Sequence, residues 1–130
     1  MLNLNLPGRV FLCALPTDMR KSFDGLAALV AQHLGADPLA GDLFVFRGKR
    51  GDRLKLLYWN EDGYAIWYKR LEEGTFAFPQ PDATRAKIGE HGLTIRPAEL
   101  AMLLDGVELD SVKRRKRYRR TTIADPIPDR

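Results

Sequence analysis

One cysteine and two histidines in 130 residues leave little for redox or metal chemistry. Cys13 alone can form neither an internal disulfide nor a cysteine-based metal cage. Such cysteine usage fits a reducing, cytoplasmic setting. Apolar runs are also short, well under the ~20 residues of a membrane-spanning helix. The opening stretch MLNLNLPGRVFLCALP lacks a basic leader, and Arg9 interrupts its apolar patches, so it does not read as a secretion signal. No Gly-rich phosphate loop and no Gly-x-Ser-x-Gly elbow occurs. His33 falls at the end of a helical pattern and His91 in a loop, neither with a partner at metal-ligand spacing. These absences weigh against an enzyme, and the sequence gives no reason to expect a metal or cofactor.

The chain has enough apolar content for a core: 45% of residues are hydrophobic and 29% charged, as in a single folded domain. The net charge of +4 conceals an asymmetry. Lys113, Arg114, Arg115, Lys116, Arg117, Arg119 and Arg120 crowd one short run, and without these seven the chain has 14 basic against 17 acidic residues. The reading is one domain over residues 1–110 followed by a basic, flexible segment over 111–130.

Hydrophobic periodicity predicts an α+β domain. Arg9–Leu15 reads as a strand bounded by Pro7-Gly8 and Pro16. Met1–Leu6 reads as a frayed edge strand or a loose terminus. Ser22–Leu34 reads as an amphipathic helix with Phe23, Leu26, Ala27, Val30 and Leu34 on one face, Thr17, Asp18 or Ser22 as caps, and Gly35 just past its end. Three strands follow at Leu43–Arg47, Arg53–Trp59 and Tyr64–Arg70, joined by short turns that favour an antiparallel β-meander. Period-2 alternation puts Arg53, Lys55, Leu57 and Trp59 on one face of the middle strand and Leu54, Leu56 and Tyr58 on the other. Thr75–Phe78 is a candidate fourth strand, Ala83–Ile88 a helical turn, and Leu93–Ile95 a last short strand. A second helix starts at Pro97, turns Leu100, Leu103 and Leu104 inward, and stops at Gly106. The expected architecture is a meander of four to five strands on one amphipathic helix, with a second short helix and the basic C-terminal segment.

Three clusters are candidates for contact with a polyanion. The Lys113–Arg120 run suits phosphate binding through counterion release, or else a solvated tail or a helical extension that docks on an acidic partner; its density favours nucleic acid. The hairpin tip gathers Arg47, Lys49, Arg50, Arg53 and Lys55, and reads equally as phosphate contacts or as charges that keep the sheet from aggregating. Arg20 and Lys21 stand near a helix start, where the dipole does not favour cations, which hints at a contact patch beside Asp18 and Asp24. Trp59, Tyr64, Trp67 and Tyr68 suit a base-stacking platform, but more simply cross-strand core pairs, with Trp59 and Trp67 as possible neighbours. Cys13 reads as a buried, inert thiol.

Two strings go beyond generic patterning: PTDMRKSFDGL over Pro16–Leu26, and Leu43–Phe76 with its FVFRGKRGDRLKLLYW core and GYAIWYKRLEEGTF end. Together they resemble the small accessory proteins called TnpB of the insertion-sequence-sixty-six family of bacterial transposable elements, not the far longer RNA-guided nuclease that shares the name. The resemblance implies a role in DNA transposition, with cutting and joining left to a separate, larger transposase. It brings no catalytic residues. The expectation is a non-catalytic accessory that binds DNA and assists the transposase, with another accessory protein as a further partner and without a membrane. The alternatives are an adaptor that docks on the transposase without touching DNA and, more remotely, a nuclease with an unrecognised metal site.

Overall fold

The computed structural model describes residues 8–80, 85–108 and 113–114. Its elements run β1 (Val10–Cys13), α1 (Phe23–His33), β2 (Leu43–Arg47), β3 (Arg53–Asn60), β4 (Gly63–Arg70), β5 (Lys87–Ile88), β6 (Gly92–Ile95), α2 (Pro97–Leu104), β7 (Val107–Glu108) and β8 (Lys113–Arg114). The first six strands form one sheet in the order β4-β3-β2-β1-β6-β5, and β7 and β8 pair separately. The fold is α+β, as the periodicity predicts, with six strands in the main sheet.

One pairing departs from a pure meander. β1 and β2 are parallel, while every other pairing in the sheet is antiparallel. Parallel neighbours need a crossover, and α1 lies in the connection between them.

The sheet is buried on both faces, and strand alternation divides the core. Leu12, Val45, Leu54 and Leu56 point to one side with Phe76 and with Leu100 and Leu103 of α2. Phe11, Phe44, Phe46 and Leu57 point to the other, against Leu26 and Val30 of α1 and Leu34 at its C-cap. The two helices therefore cover opposite faces of one sheet. In α1 the spacing of four keeps Leu26, Val30 and Leu34 on the sheet at 0% exposure, whereas Phe23 leaves that face and is 44% exposed. Ser22 occupies the N-cap without a side-chain cap bond. Gly35, just past the helix, has a φ of 59°, the left-handed conformation that glycine adopts at least cost. Cys13 is buried, and burial pushes its thiol up and keeps it protonated.

α2 begins with Pro97 at its first position, and the Glu99 carboxylate accepts the Arg96 backbone N–H at 3.0 Å. Leu100 and Leu103 are buried, Leu104 is partly buried, and Gly106 closes the helix at φ 92°. Two expected elements take other forms. Thr75–Phe78 is not a strand: the Phe76 N–H donates to the Gly51 carbonyl at 2.8 Å, and the ring is fully buried beneath the sheet. Burying that ring carries the chain across the face instead of along the edge. Within Ala83–Ile88, residues 87 and 88 form β5 instead of a helical turn, because they pair with Leu93 and Gly92; residues 83 and 84 lie outside the described residues. So do Met1–Leu6 and the segment after Arg114.

Candidate nucleic-acid interface

The turn between β2 and β3 is built from its glycines. The Gly48 N–H donates to the Arg53 carbonyl and the Gly51 N–H to the Gly48 carbonyl, each at 3.0 Å. Gly51 has a φ of 80°, a conformation strained for any residue with a Cβ. This tight tip leaves Lys49 and Arg50 exposed to solvent.

A second segment lies beside it. After β1 the chain passes through Pro16, and Thr17 forms an isolated parallel bridge with Gly48. The Thr17 N–H donates to the Arg47 carbonyl at 2.9 Å. Met19 then closes over the turn, its Cγ 2.8 Å from where a Cβ on Gly48 would stand. Between the two segments lies a cleft of about 490 Å³, with Pro16–Arg20 on one wall and Gly48–Arg50 and Asp52–Arg53 on the other.

Arg20, Lys49, Arg50 and Arg53 supply four cations to this cleft, against Asp18 and Asp52. Asp18 is bound to Arg20 by three side-chain contacts of 2.8–3.2 Å and accepts the Arg20 backbone N–H at 2.9 Å. These bonds, the side-chain ones first, hold its carboxyl down at about 2. Arg20 remains 91% exposed through its side chain and is presented to solvent by the pair. Arg53 is half-buried, with Nη1 3.4 Å from the Tyr68 hydroxyl.

The other expected contacts are dispersed. Lys21 is exposed next to the cleft wall. Arg47 turns away: Nη1 donates to the Phe76 carbonyl at 2.8 Å, the guanidinium stacks 4.5 Å from the Phe78 ring centroid, and burial pushes its pKa down. Lys55 is 8% exposed, donates to the Lys21 carbonyl at 2.7 Å, and stands 4.7 Å from the Tyr68 ring centroid. Arg47 and Lys55 thus tie the surrounding segments together. In the C-terminal run, the backbones of Lys113 and Arg114 form β8 against β7. Arg115, Lys116, Arg117, Arg119 and Arg120 lie outside the described residues.

The aromatics do not share one platform. Trp59 faces Tyr64, with ring centroids 5.1 Å apart and nearly perpendicular. Trp67 is paired with Leu56 and packs on the α2 side. Its side chain therefore points away from that of Trp59, and the expected Trp59–Trp67 pair does not form. Thr17, Met19 and Gly48 belong to the cleft without having been expected there. Their only sequence signal was their place within the two distinctive strings.

Those strings form the two walls, and comparison with known proteins identifies them. The model of the family described as IS66 Orf2 like protein matches residues 8–114. The chain belongs to this family. The match associates it with transposition and supports the accessory-protein resemblance. Two similar relatives come from Sinorhizobium fredii. The uncharacterized protein y4jC is 39% identical over 116 residues, covering 89% of this chain and 93% of its own. The uncharacterized protein y4hO is 37% identical over 100 residues, covering 77% and 81%. No solved structure matches. Among the described residues, no group of three His, Cys, Asp or Glu side chains is placed to hold a metal ion, and no helix is long and apolar enough to cross a membrane.

Proposed function

We propose that the protein is a non-catalytic accessory factor of transposition that grips DNA phosphates at the cleft and hands the element to a separate transposase. One observation carries this reading: the two family-like strings, far apart in sequence, meet through the Thr17–Gly48 bridge and present Arg20, Lys49 and Arg50 around one opening. Exposed cations on a rigid turn suit phosphate contact, which fixes position without reading sequence. Lys113–Arg120 would add counterion release along the same polyanion.

Titration of labelled element-end DNA across a salt series tests the proposal. Affinity should fall steeply with salt. Replacing Arg20, Lys49 and Arg50 with alanine should lower the slope by about 2–3, near 0.9 per lost phosphate contact. Neutralising Lys113–Arg120 should flatten it further. Steep binding untouched by both sets of changes would rule out the cleft and the run as contacts.

The adaptor reading rests on a different observation, the exposure of Phe23 at 44% and Tyr68 at 48%. It requires that the purified protein fail to retard DNA at low salt while still co-purifying with the transposase.

A further inference from the structure

The main sheet ends differently on its two sides. One edge is β5, only two residues long. The other is β4, eight residues long, and among the described residues nothing pairs with its outer side. Proteins ordinarily blunt long edges with prolines, bulges or charges along the strand. β4 contains no proline, and its register with β3 runs unbroken from Arg53–Arg70 to Asn60–Gly63.

The register also determines which backbone groups face outward. The Leu71 N–H donates to the Asp52 carbonyl at 2.8 Å, one step beyond the Arg53–Arg70 pair. Bonded and non-bonded pairs alternate along an antiparallel ladder. The odd-numbered residues of β4 therefore bond to β3, and Tyr64, Ile66, Tyr68 and Arg70 turn their N–H and C=O groups to the open side.

Charge is polarised along this edge. Glu61 and Asp62 precede the strand, and Lys69 and Arg70 end it. An antiparallel copy of the same strand offers the reversed polarity. We propose that β4 pairs with β4 of a second copy of this chain, about a two-fold axis at Ile66. A two-fold axis normal to a sheet places one residue opposite itself, and pairing requires outward-facing residues of one copy to stand opposite outward-facing residues of the other. With Ile66 on the axis, Tyr64 meets Tyr68 and Asp62 meets Arg70, each twice by symmetry. Moving the axis to any neighbouring residue separates Asp62 from Arg70, and moving it to Tyr64 or Tyr68 also shortens the overlap. Among the described residues, the ion pair of Arg70 is an exposed contact with Glu72 at 3.5 Å, which it can exchange at little cost. Pairing joins the two main sheets into one and covers Tyr68. It also mounts two copies of the basic cleft on a common frame, but stands independently of any role for that cleft.

Sedimentation of the full chain over a concentration series, with circular dichroism to verify folding, tests the pairing. A monomer–dimer equilibrium is expected. Asp62→Arg and Arg70→Asp should each weaken the dimer roughly tenfold, since each makes two symmetric cross-strand pairs repulsive. The double variant should restore it. Within one chain these residues stand at opposite ends of β4, roughly 27 Å apart, too far to compensate each other. Rescue therefore reports contact between copies. If Asp62→Arg disturbs the turn, Arg70→Asp probes the same pairing from the other end. A chain that stays monomeric throughout, a dimer indifferent to the single reversals, or failure of the folded double variant to recover would each overturn the proposal.

Discussion

Thr17 and Gly48 lie side by side as a parallel bridge, with the Thr17 N–H on the Arg47 carbonyl at 2.9 Å. This contact lies outside any named strand, yet it joins the segment after β1 to the tip of the β2–β3 turn. Arg20 and Arg50 reach the same cleft because of it. The bridge works because Gly48 has no side chain: Met19 closes over the space that a Cβ would fill.

Gly48→Ala is accordingly expected to cost about 1–2 kcal/mol through overpacking against Met19. Gly48→Ala combined with Met19→Ala should cost less than the sum of the two single changes, because each relieves the other's misfit. Urea denaturation of the four proteins of this cycle measures the coupling. Strict additivity would show that the contact does not hold the turn.

Lys55 and Lys49 should separate structural from binding charge. Lys55 is buried, bonded to the Lys21 carbonyl and placed over Tyr68. Lys55→Met should lower stability by about 1.5–3 kcal/mol, the range for a hydrogen bond to a charged group. It should leave the salt slope of DNA binding unchanged. Lys49→Ala should do the reverse, with little effect on stability and a slope lower by about 1. Denaturation and DNA titration on both variants check this.

Glu99 gives the fold a dependence on acid. Its side chain is 13% exposed, and burial by itself would raise its pKa. The Arg96 backbone N–H, the Arg85 side-chain hydrogen bond at 2.9 Å and the charges of Arg85 and Arg96 together outweigh burial and lower it. A carboxyl whose folded pKa lies below its unfolded one stabilises the fold fully above the unfolded value, about 4.3 for Glu. That stability is lost as pH falls through the folded value. Thermal melts should therefore show the native protein losing more stability than Glu99→Gln as pH drops below about 5. At neutral pH the variant should be about 1–3 kcal/mol less stable, since it surrenders a charged hydrogen bond. Asp18 titrates at about 2, lowered first by its side-chain bonds to Arg20, but both proteins carry it, so it does not obscure the comparison.

Phe76→Ala should cost about 3–5 kcal/mol, the usual loss for a buried phenylalanine. The ring is at 0% exposure, and the same residue's backbone holds both Gly51 and the Arg47 guanidinium. The loss should therefore also loosen the turn, and amide exchange at Gly48 and Gly51 should accelerate in the variant. Unchanged exchange there would uncouple the turn from the core.

The amino-acid sequence by itself determined the local elements of the chain. The bounds of β2 come directly from its apolar run, Leu26-Val30-Leu34 is an unambiguous helical stripe, and Pro97 and Gly106 bracket α2. These are short-range properties, set by side-chain period, capping and turn chemistry within a few residues. Family membership was visible for the same reason, in two contiguous strings. Tertiary structure alone decided the parallel pairing of β1 with β2, the course of Phe76 beneath the sheet, and the division of the basic residues. Arg47, Lys49 and Lys55 look alike in the sequence. Strand alternation and burial turn Arg47 onto Phe78 and Lys55 onto Tyr68, and leave Lys49 in solvent. A residue's charge is local, but its accessibility depends on which distant segment packs against it, and Thr17 meets Gly48 across an intervening helix and strand.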